Sequence, residues 1–324
     1  LTWKLAPAMC CGNTIIAKPS EETPSTATLL AEVMHEAGVP PGVYNVVHGF
    51  GPDSAGEFIT QHPDVDGITF TGETGTGAAI MKAVAPTVKP ISFELGGKNP
   101  GIVFADCDFD RTVEEVATAG VMNAGQDCAA GCRVLVEESI AKEFTAALAK
   151  RVSEFKFGTP EDDGNYYGAI NSAAQLERVQ GFIDRLPSHA EILTGGKASR
   201  QNGGYFFEPT VVAGLRQDDE MIQNEVFASV QTVQTFKTEA QAVEMSNDVA
   251  YGLAASIWTE NHGRAIRVSQ DLDFGQIWVN CHLVQVGDMP NGGFKHSGHG
   301  NDLSAEALEG YTRMKHVMSY TARS

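Results

Sequence analysis

Several features are scarce in this chain of 324 residues, and each scarcity excludes a class of protein. No apolar run approaches the ~18 residues that a membrane-spanning helix needs. Basic residues are also few, since 23 Lys and Arg face 41 Asp and Glu and give a formal net charge of −18. A surface this acidic repels phosphate backbones and anionic lipid, so we expect neither nucleic acid nor a membrane as a partner.

Cysteine is present, but not in the patterns that bind metals. The six cysteines form no CxxC pair and no Cys/His cluster with zinc spacing, so no metal site is predicted. No secretory signal is present, and a long acidic chain of this kind is expected to be cytoplasmic and reduced. An initiator methionine is absent as well: Leu1-Thr2-Trp3-Lys4 lies already inside a patterned segment, and we therefore interpret the sequence as a fragment.

What is present is enough apolar material for a large core and a regular alternation of elements. Hydrophobic residues make up 42% of the chain, and a prior of about 150 residues per domain suggests two domains. Strands that alternate with helices predict βαβ units, a parallel sheet and an α/β fold. We predict strands near 13–17, 43–47, 67–71, 91–95, 101–104, 133–137, 229–236, 253–258, 275–280 and 316–320, and helices near 24–37, 54–61, 76–85, 109–123, 141–155, 173–185, 238–247 and 261–271.

Two residues are candidates for covalent chemistry. Cys128 follows a helical stretch and comes just after Gly125, which permits the close backbone approach that a thiolate nucleophile needs. Nearby backbone N–H groups are expected to lower the pKa of its thiol. Glu94 ends a hydrophobic strand before two glycines, and burial there is expected to raise its pKa toward the range of a general base. The alternatives are a small buried thiol and a paired structural glutamate.

Two loops are candidates for binding a dinucleotide. The segment from Gly72 to Gly77 follows a strand and opens a helix, so its N–H groups could face a pyrophosphate, although the spacing is not the usual dinucleotide pattern. Lys18 and Glu21 follow another strand, where ligands bind in open α/β sheets, and could hold ribose hydroxyls. An ordinary strand-to-helix turn and an exposed loop pair are the structural alternatives.

Together these motifs resemble the aldehyde dehydrogenase superfamily, over the whole chain. The 34-residue step from Glu94 to Cys128 matches the spacing of that family. The resemblance implies a partial Rossmann-like cofactor domain and an α/β catalytic domain. Further matching segments are Trp3-Lys4, Pro7-Ala8, Gly12-Asn13, Lys18-Pro19-Ser20-Glu21, Phe70-Thr71-Gly72, Glu94-Leu95-Gly96-Gly97-Lys98, Gly125-Gln126-Asp127-Cys128, Glu225-Val226-Phe227, Tyr251-Gly252-Leu253-Ala254, Trp278-Val279-Asn280, Gly292-Gly293-Phe294-Lys295 and Ser297-Gly298.

The resemblance gives the candidate residues their roles. Cys128 would attack an aldehyde, and the thiohemiacetal formed would lose hydride to NAD and leave a thioester. Glu94 would activate the water that hydrolyses this thioester. Glu21 would repel a 2′-phosphate, which favours NAD over NADP. The cofactor-binding residues implied are Lys18, Ser20 and Glu21 for the adenosine ribose, Gly72 and Glu73 near the pyrophosphate, and Gly96, Glu225 and Phe227 at the nicotinamide end.

The resemblance also implies a domain division and an assembly. Residues 1–96 would be the C-terminal part of the cofactor domain, 97–296 the catalytic domain, and 297–324 a tail with an oligomerisation strand. A homodimer or homotetramer is implied. The substrate would be a semialdehyde or an aminoaldehyde, because the first part resembles hydroxymuconic semialdehyde dehydrogenases and the remainder γ-aminobutyraldehyde dehydrogenases. A chimeric chain and a natural branch with mixed features both explain this mixture.

Two departures from the family, and one match to it at Asn280, leave alternatives open. The asparagine that supplies half of the oxyanion hole in family members lies upstream of Leu1, and loss of one such donor costs on the order of 10²–10³ in rate. A catalytically inactive folded fragment is therefore one alternative, and a thiol hydrolase that uses Cys128 and Glu94 is another. Ala228-Ser229 replaces the usual Gly-Pro after Phe227, which leaves that turn undetermined. Asn280 is expected either to hold a loop or to take part in catalysis.

Overall fold

Helices and strands alternate along the chain in a computed structural model that describes residues 1–321. The α/β class predicted from the sequence is confirmed. The helices are α1 (Thr2–Cys10), α2 (Ser25–Glu36), α3 (Ala55–Gln61), α4 (Thr74–Val84), α5 (Phe109–Val121), α6 (Glu138–Ser153), α7 (Ala173–Asp184), α8 (Glu220–Gln223), α9 (Glu239–Asn247) and α10 (His262–Asp271). The strands are β1 (Ile15–Ala17), β2 (Tyr44–Val46), β3 (Ile68–Thr71), β4 (Ile91–Glu94), β5 (Pro100–Val103), β6 (Arg133–Glu137), β7 (Glu191–Thr194), β8 (Ala198–Ser199), β9 (Phe206–Phe207), β10 (Thr210–Ala213), β11 (Val230–Phe236), β12 (Tyr251–Gly252), β13 (Ala254–Trp258), β14 (Gln276–Val279), β15 (Phe294–Lys295) and β16 (Gly298–His299).

The first part of the chain contains two separate parallel strand pairs. β1 pairs with β2, and β3 pairs with β4, both in parallel register. The short strand β16 then adds antiparallel to β4, with Gly298 opposite Glu94. Within residues 1–321 no ladder joins the two pairs, so the continuous sheet expected for this part is replaced by two small ones. β1 and β2 are three residues long. Among the described residues they pair only with each other, so no further strand is hydrogen-bonded to their outer edges.

A seven-stranded sheet forms the centre of the second part. Its strand order is β14-β13-β5-β6-β11-β10-β7, and every neighbouring pair is parallel except β10 with β7. Side chains alternate between the two faces: Val134 and Val136 pack with Phe144 of α6, whereas Leu135 packs with Val268 of α10. Helices therefore cover both faces, as a parallel sheet that is buried on both sides requires.

Capping side chains fix where several of these helices begin. Asp108, Ser172, Thr238 and Asn261 each accept a hydrogen bond from the backbone N–H three residues later, at the starts of α5, α7, α9 and α10. Such a bond satisfies one of the free donors of the first turn. These caps explain why the predicted starts of the four helices agree with the structure to within about a residue.

The chain returns to its first part after Ser297. β16 lies on β4, and Lys4 of α1 forms an ion pair with Asp302. The strand predicted at 316–320 is not formed within the described chain, because a strand needs a partner and here Val317, Met318 and Tyr320 are exposed. The end of the predicted tail, 322–324, lies outside the described residues. The domain limits at 96 and 296 stay predictions. Within residues 1–321 no helix has the length and apolarity to cross a bilayer.

Candidate active site

Glu94 ends strand β4 in a buried position. Its residue is 3% exposed, and neither carboxylate oxygen makes a hydrogen bond of ordinary geometry among the described residues. Burial raises the pKa of this carboxyl to about 8, and the nearby carboxylate of Asp302 raises it further, while the ammonium of Lys4 lowers it. The expectation that burial would raise the pKa of Glu94 is confirmed, and at neutral pH a large share of this group carries a proton.

The ion pair beside Glu94 joins the two ends of the described chain. Lys4 Nζ lies 2.8 Å from Asp302 Oδ2, and both side chains are largely buried. From the sequence, Lys4 stands only within a segment that matches the family, and nothing singles out Asp302. A lysine and an aspartate 298 positions apart give no sequence signal of contact, since their pairing depends on the return of the chain through β16.

The loop that carries Cys128 has a strained backbone. Asn123, Ala124 and Gly125 have φ angles of 53°, 59° and 66°, and a side chain at Gly125 would place a Cβ 2.2 Å from the backbone of Ala228. Two successive left-handed residues other than glycine are costly, and such strain collects at functional sites. The glycine that the sequence analysis singled out is therefore required by close packing of this loop on a second turn.

That second turn is the one in which Ala228-Ser229 replaces the family's usual pair. Phe227 has a φ of 59°, Ala228 is buried, and the N–H of Val230 donates to the carbonyl of Ala228 at 2.6 Å. The substituted pair thus still forms a tight reversal. Phe227 is half-buried on this turn.

Three carboxylates surround the Cys128 thiol. Burial raises its pKa to about 12, and Asp127, Glu94 and Glu225 add to this, whereas the residue's own backbone N–H lowers it. The expectation of a lowered pKa is therefore wrong for the protein without ligands, because desolvation and repulsion between like charges outweigh a single backbone donor. The thiol needs a base to become a nucleophile, and Glu94 is a buried group nearby whose pKa suits that task.

The two glycines after Glu94 lie against both Cys128 and Glu225. A Cβ on Gly97 would be 2.4 Å from the carbonyl oxygen of Cys128, and a Cβ on Gly96 would be 2.4 Å from Glu225 Oε2. The N–H of Gly97 donates to Glu225 Oε1 at 2.8 Å. Because Gly96 and Gly97 carry no side chains, the segment that follows β4 can pack against both the Cys128 loop and Glu225.

Helix α7 fixes the segment that contains Glu225 and Phe227. Arg178 donates to the carbonyls of Glu225 (2.7 Å) and Val226 (3.3 Å), and Gln175 donates to those of Val226 and Phe227 at 3.0 Å each. Burial raises the pKa of Glu225, and the Gly97 N–H opposes the shift. Neither Gln175 nor Arg178 was found from the sequence, because a helical residue that bonds a distant backbone leaves no motif.

Gly72 and Glu73 form the turn between β3 and α4. The N–H of Gly72 donates to the carbonyl of Glu94 at 3.1 Å, and a Cβ at Gly72 would lie 2.5 Å from the ring of Phe70. Glu73 takes the N-cap position of α4 with an extended backbone. Its charge raises the pKa of Glu225, which places the two carboxylates in one electrostatic neighbourhood.

Lys18, Ser20 and Glu21 lie at the carboxyl end of β1. Lys18 Nζ is 3.5 Å from Glu21 Oε2 and donates to the carbonyls of Pro19 and Gly49 at 2.7 and 2.8 Å. Ser20 is exposed and its hydroxyl accepts from the N–H of Glu22. Among the contacts of the described chain, none joins these residues to the cluster around Cys128. The structure thus gathers Glu94, Cys128, Gly96, Gly72, Glu73, Glu225 and Phe227 in one region, with the β1 group apart from them.

The side chain of Asn280 binds the backbone of Thr259, in the loop that follows strand β13. Its side-chain oxygen accepts from the N–H of Thr259 and its amide donates to the Thr259 carbonyl, each at 3.0 Å. Both ends of the amide are occupied, which favours the loop-holding role over a catalytic one. Asn99 and His282 both contact the Cys128 loop directly. From the sequence, Asn99 has no site role, and His282 is expected either to line the substrate entrance or to be structural.

Comparisons with known proteins agree with this arrangement. A model described as the aldehyde dehydrogenase family matches residues 1–317. The 2-hydroxymuconic semialdehyde dehydrogenase of Pseudomonas sp. (strain CF600) is 46% identical over 98% of this chain and 66% of that protein. The betaine aldehyde dehydrogenase of Bacillus subtilis (strain 168) is 40% identical over 99% of this chain and 66% of that protein.

Solved structures share the fold. Betaine aldehyde dehydrogenase from Staphylococcus aureus, in complex with NAD+, superposes with a TM-score of 0.93 at 39% identity, over 96% of this chain and 62% of that one. The aldehyde dehydrogenase KauB from Pseudomonas aeruginosa gives 0.94 at 38% identity, over 97% and 64%. The chain thus spans 66% of the length of the curated relatives named above. On its motifs, its fold and these matches, the chain belongs to the aldehyde dehydrogenase family.

Proposed function

We propose that this chain carries the catalytic residues of an NAD-dependent aldehyde dehydrogenase, with Cys128 as nucleophile and Glu94 as base. One observation supports this above the others: the backbone that follows Glu94 packs directly on the Cys128 loop, since Gly97 has no room for a side chain beside the Cys128 carbonyl. A buried base whose pKa is raised to about 8 therefore lies next to a thiol that its surroundings hold protonated.

In the first half of the reaction, Glu94 accepts the proton of the Cys128 thiol. The thiolate adds to the aldehyde carbon, an S–C bond forms, and the carbonyl π electrons move to oxygen. The backbone N–H of Cys128 is the donor that this chain offers to the developing oxyanion. A bound NAD+ supplies the acceptor for the hydride that the tetrahedral carbon loses when its oxygen re-forms a carbonyl, and a thioester on Cys128 results.

Before the second half, Glu94 releases the thiol proton to solvent, and it then accepts a proton from water as the water oxygen attacks the thioester carbon. The C–S bond breaks, and Cys128 leaves as a thiolate that is reprotonated. Summed over both halves, aldehyde, water and the oxidised dinucleotide give carboxylic acid, reduced dinucleotide and one proton. Glu94 acts twice as a proton acceptor, and a pKa near neutrality suits both steps.

The residues present fit a dinucleotide. Lys18 and Glu21 offer a donor and an acceptor at the end of a parallel strand, which suits a ribose diol, with Ser20 beside them. A carboxylate at Glu21 repels a 2′-phosphate, which supports NAD over NADP. Because Gly72 and Gly96 carry no side chains, a dinucleotide can approach the backbone closely at both positions. Glu73 follows Gly72 in the turn before α4. Glu225 and Phe227 would hold the nicotinamide end.

The substrate that we propose is a semialdehyde or an aminoaldehyde. Support comes from relatives named 2-hydroxymuconic semialdehyde and 2-aminomuconic 6-semialdehyde dehydrogenase, at 46% and 45% identity. A homodimer or homotetramer and a cytoplasmic location are also proposed, and the six free cysteines are the state expected of a reducing compartment.

The test is formation of reduced dinucleotide by the protein that carries this chain, with NAD+ and a panel of semialdehydes, aminoaldehydes and plain aliphatic aldehydes. We expect turnover with the first two classes, loss of turnover in Cys128→Ala, and retention in the matched control Cys107→Ala. Absence of both NAD binding and turnover would support the inactive-module alternative. Ester cleavage without any dinucleotide-linked oxidation would support the thiol hydrolase.

A further inference from the structure

We propose that Asn99 and His282 are positioning residues that hold the nucleophile loop by binding three successive backbone carbonyls, those of Cys128, Ala129 and Ala130. This inference rests on the proposed role of Cys128. Neither side chain needs to touch the substrate, because both act through the backbone that carries the thiol.

Asn99 holds the first and the third carbonyl. Its Nδ2 donates to the Cys128 oxygen at 2.8 Å and to the Ala130 oxygen at 2.9 Å, and its Oδ1 accepts from the N–H of Ala254 at 3.1 Å. The residue is 1% exposed, and its own carbonyl accepts from the N–H of Arg133. A flipped amide would set its oxygen against two carbonyls, so one orientation is fixed.

His282 holds the carbonyl between these two. Its Nε2 lies 2.8 Å from the Ala129 oxygen, and because a carbonyl only accepts, Nε2 is the nitrogen that carries hydrogen. The ring is 8% exposed and packs on Trp278, with centroids 4.8 Å apart. Burial lowers its pKa to about 4, so the ring stays neutral near pH 7 and its hydrogen is committed to this bond.

The bonds to three successive carbonyls matter because of the strained backbone that precedes them. The loop enters Cys128 from two left-handed non-glycine residues, Asn123 and Ala124, and a strained backbone persists only when its surroundings over-determine it. Fixing the carbonyl of Cys128 sets the rotation of its peptide plane. The direction of the thiol relative to Glu94 is then set as well.

The arrangement argues against an acid–base role for His282. A ring with one hydrogen, already donated to a backbone oxygen, has no proton to pass to a substrate. We therefore expect its importance to lie in geometry, which alone can change a rate by about 10²-fold when a reacting group moves by ~1 Å.

The test uses isosteric pairs in the protein that carries this chain. His282→Gln keeps an N–H that reaches the position of Nε2, whereas His282→Met fills similar space with no donor. Asn99→Asp removes both donors from Asn99. Its matched control is Asn247→Asp, because Asn247 makes the same kind of bonds, to the Asp271 carbonyl (2.8 Å) and from the Asp273 N–H (2.9 Å).

Two readouts separate positioning from general stability. One is kcat against the KM for NAD+, and the other is the pH dependence of Cys128 alkylation by iodoacetamide, followed by peptide mass spectrometry. We expect His282→Met and Asn99→Asp to lower kcat by about tenfold or more with little change in that KM. We also expect His282→Met to lower the alkylation pKa of Cys128, because a loosened thiol meets more water, whereas the carboxylate added in Asn99→Asp opposes that shift and leaves kcat as the readout for this variant. His282→Gln should restore both values.

Equal kcat and equal alkylation pKa in His282→Gln and His282→Met would overturn the inference. So would a kcat of Asn99→Asp that equals the kcat of Asn247→Asp. Alkylation does not depend on turnover, so the inference is decided even if the parent oxidises no aldehyde. A parent that lacks turnover but shows the alkylation shifts would reject the proposed dehydrogenase and keep the two positioning residues. Should one variant fail to fold, the other position still decides.

Discussion

The ammonium of Lys4 lies 2.8 Å from the carboxylate of Asp302, and this ion pair stands beside Glu94. The two partners act on Glu94 in opposite directions, since Asp302 raises the pKa of its carboxyl and Lys4 lowers it. The proposed base is therefore tuned by a pair that forms only when the chain returns to α1 through β16.

Neutralising one member of the pair should move the pH dependence of the reaction. In Asp302→Asn the pKa of Glu94 falls, because a repelling charge is lost while Lys4 stays, so kcat should reach its plateau at a lower pH than in the parent. In Lys4→Met the unpaired Asp302 raises the pKa of Glu94, and the plateau should move to higher pH. The pH profile of kcat measures both. Shifts in the same direction, or none, would contradict the tuning.

The three carboxylates around Cys128 predict a gain in thiol reactivity when one of them is neutralised. Asp127→Asn removes a charge that raises the pKa of the thiol, yet keeps an oxygen that can accept from the N–H of Ala129, as Asp127 does at 2.8 Å. At a fixed neutral pH, Cys128 of this variant should react faster with iodoacetamide. The surface variant Glu161→Gln is the control and should match the parent. A slower reaction in Asp127→Asn would show that the charges do not govern this thiol.

Glu94 should also lower the free energy of unfolding of the protein at alkaline pH. Its pKa is about 8 in the folded protein against the ordinary value of 4.5 for a glutamate, so the folded state binds more protons over this window. The contribution of this group to the free energy of unfolding is fully present below pH 4.5. It is lost as the pH rises through about 8, by at most ~1.4 kcal/mol per pH unit. Glu94→Gln mimics the neutral acid. Its melting temperature should exceed that of the parent at pH 8 and match it more closely at pH 5; an advantage independent of pH would contradict this.

Much of the architecture follows from local sequence patterns. The predicted starts of α5, α7, α9 and α10 agree with the structure, in which Asp108, Ser172, Thr238 and Asn261 cap these helices. The buried runs of β6 and β11 were equally clear. By contrast, β7 was not found, because its exposed Glu191 and Ile192 give no alternation of apolar and polar residues.

The candidate site also contains residues that local sequence predicts and residues whose roles only the fold reveals. The individual positions of Glu94 and Cys128 were read from glycine-rich turns and the family spacing, and the raised pKa of Glu94 followed from the burial of a strand end. The raised pKa of Cys128 was not predicted, since its main cause is the burial that the fold imposes on the thiol, to which Asp127, Glu94 and Glu225 add. The bonds of Asn99 and His282 to the Cys128 loop were missed for a related reason: each side chain acts on a backbone carbonyl, and a carbonyl carries no sequence signature.

The most direct test of the account is to trap its covalent intermediate. Glu94→Gln cannot accept a proton from water, so steady-state turnover should fall by about 10²–10⁴-fold, while a slower first turnover, in which Cys128 loses its proton to solvent, still produces reduced dinucleotide. After incubation with NAD+ and a semialdehyde substrate, peptide mass spectrometry should find the acyl group on Cys128. Glu114→Gln, which removes a surface carboxylate paired with Arg151, is the control and should leave Cys128 unmodified at steady state. Undiminished turnover of Glu94→Gln with a free Cys128, or an acyl group on another residue, would contradict the account.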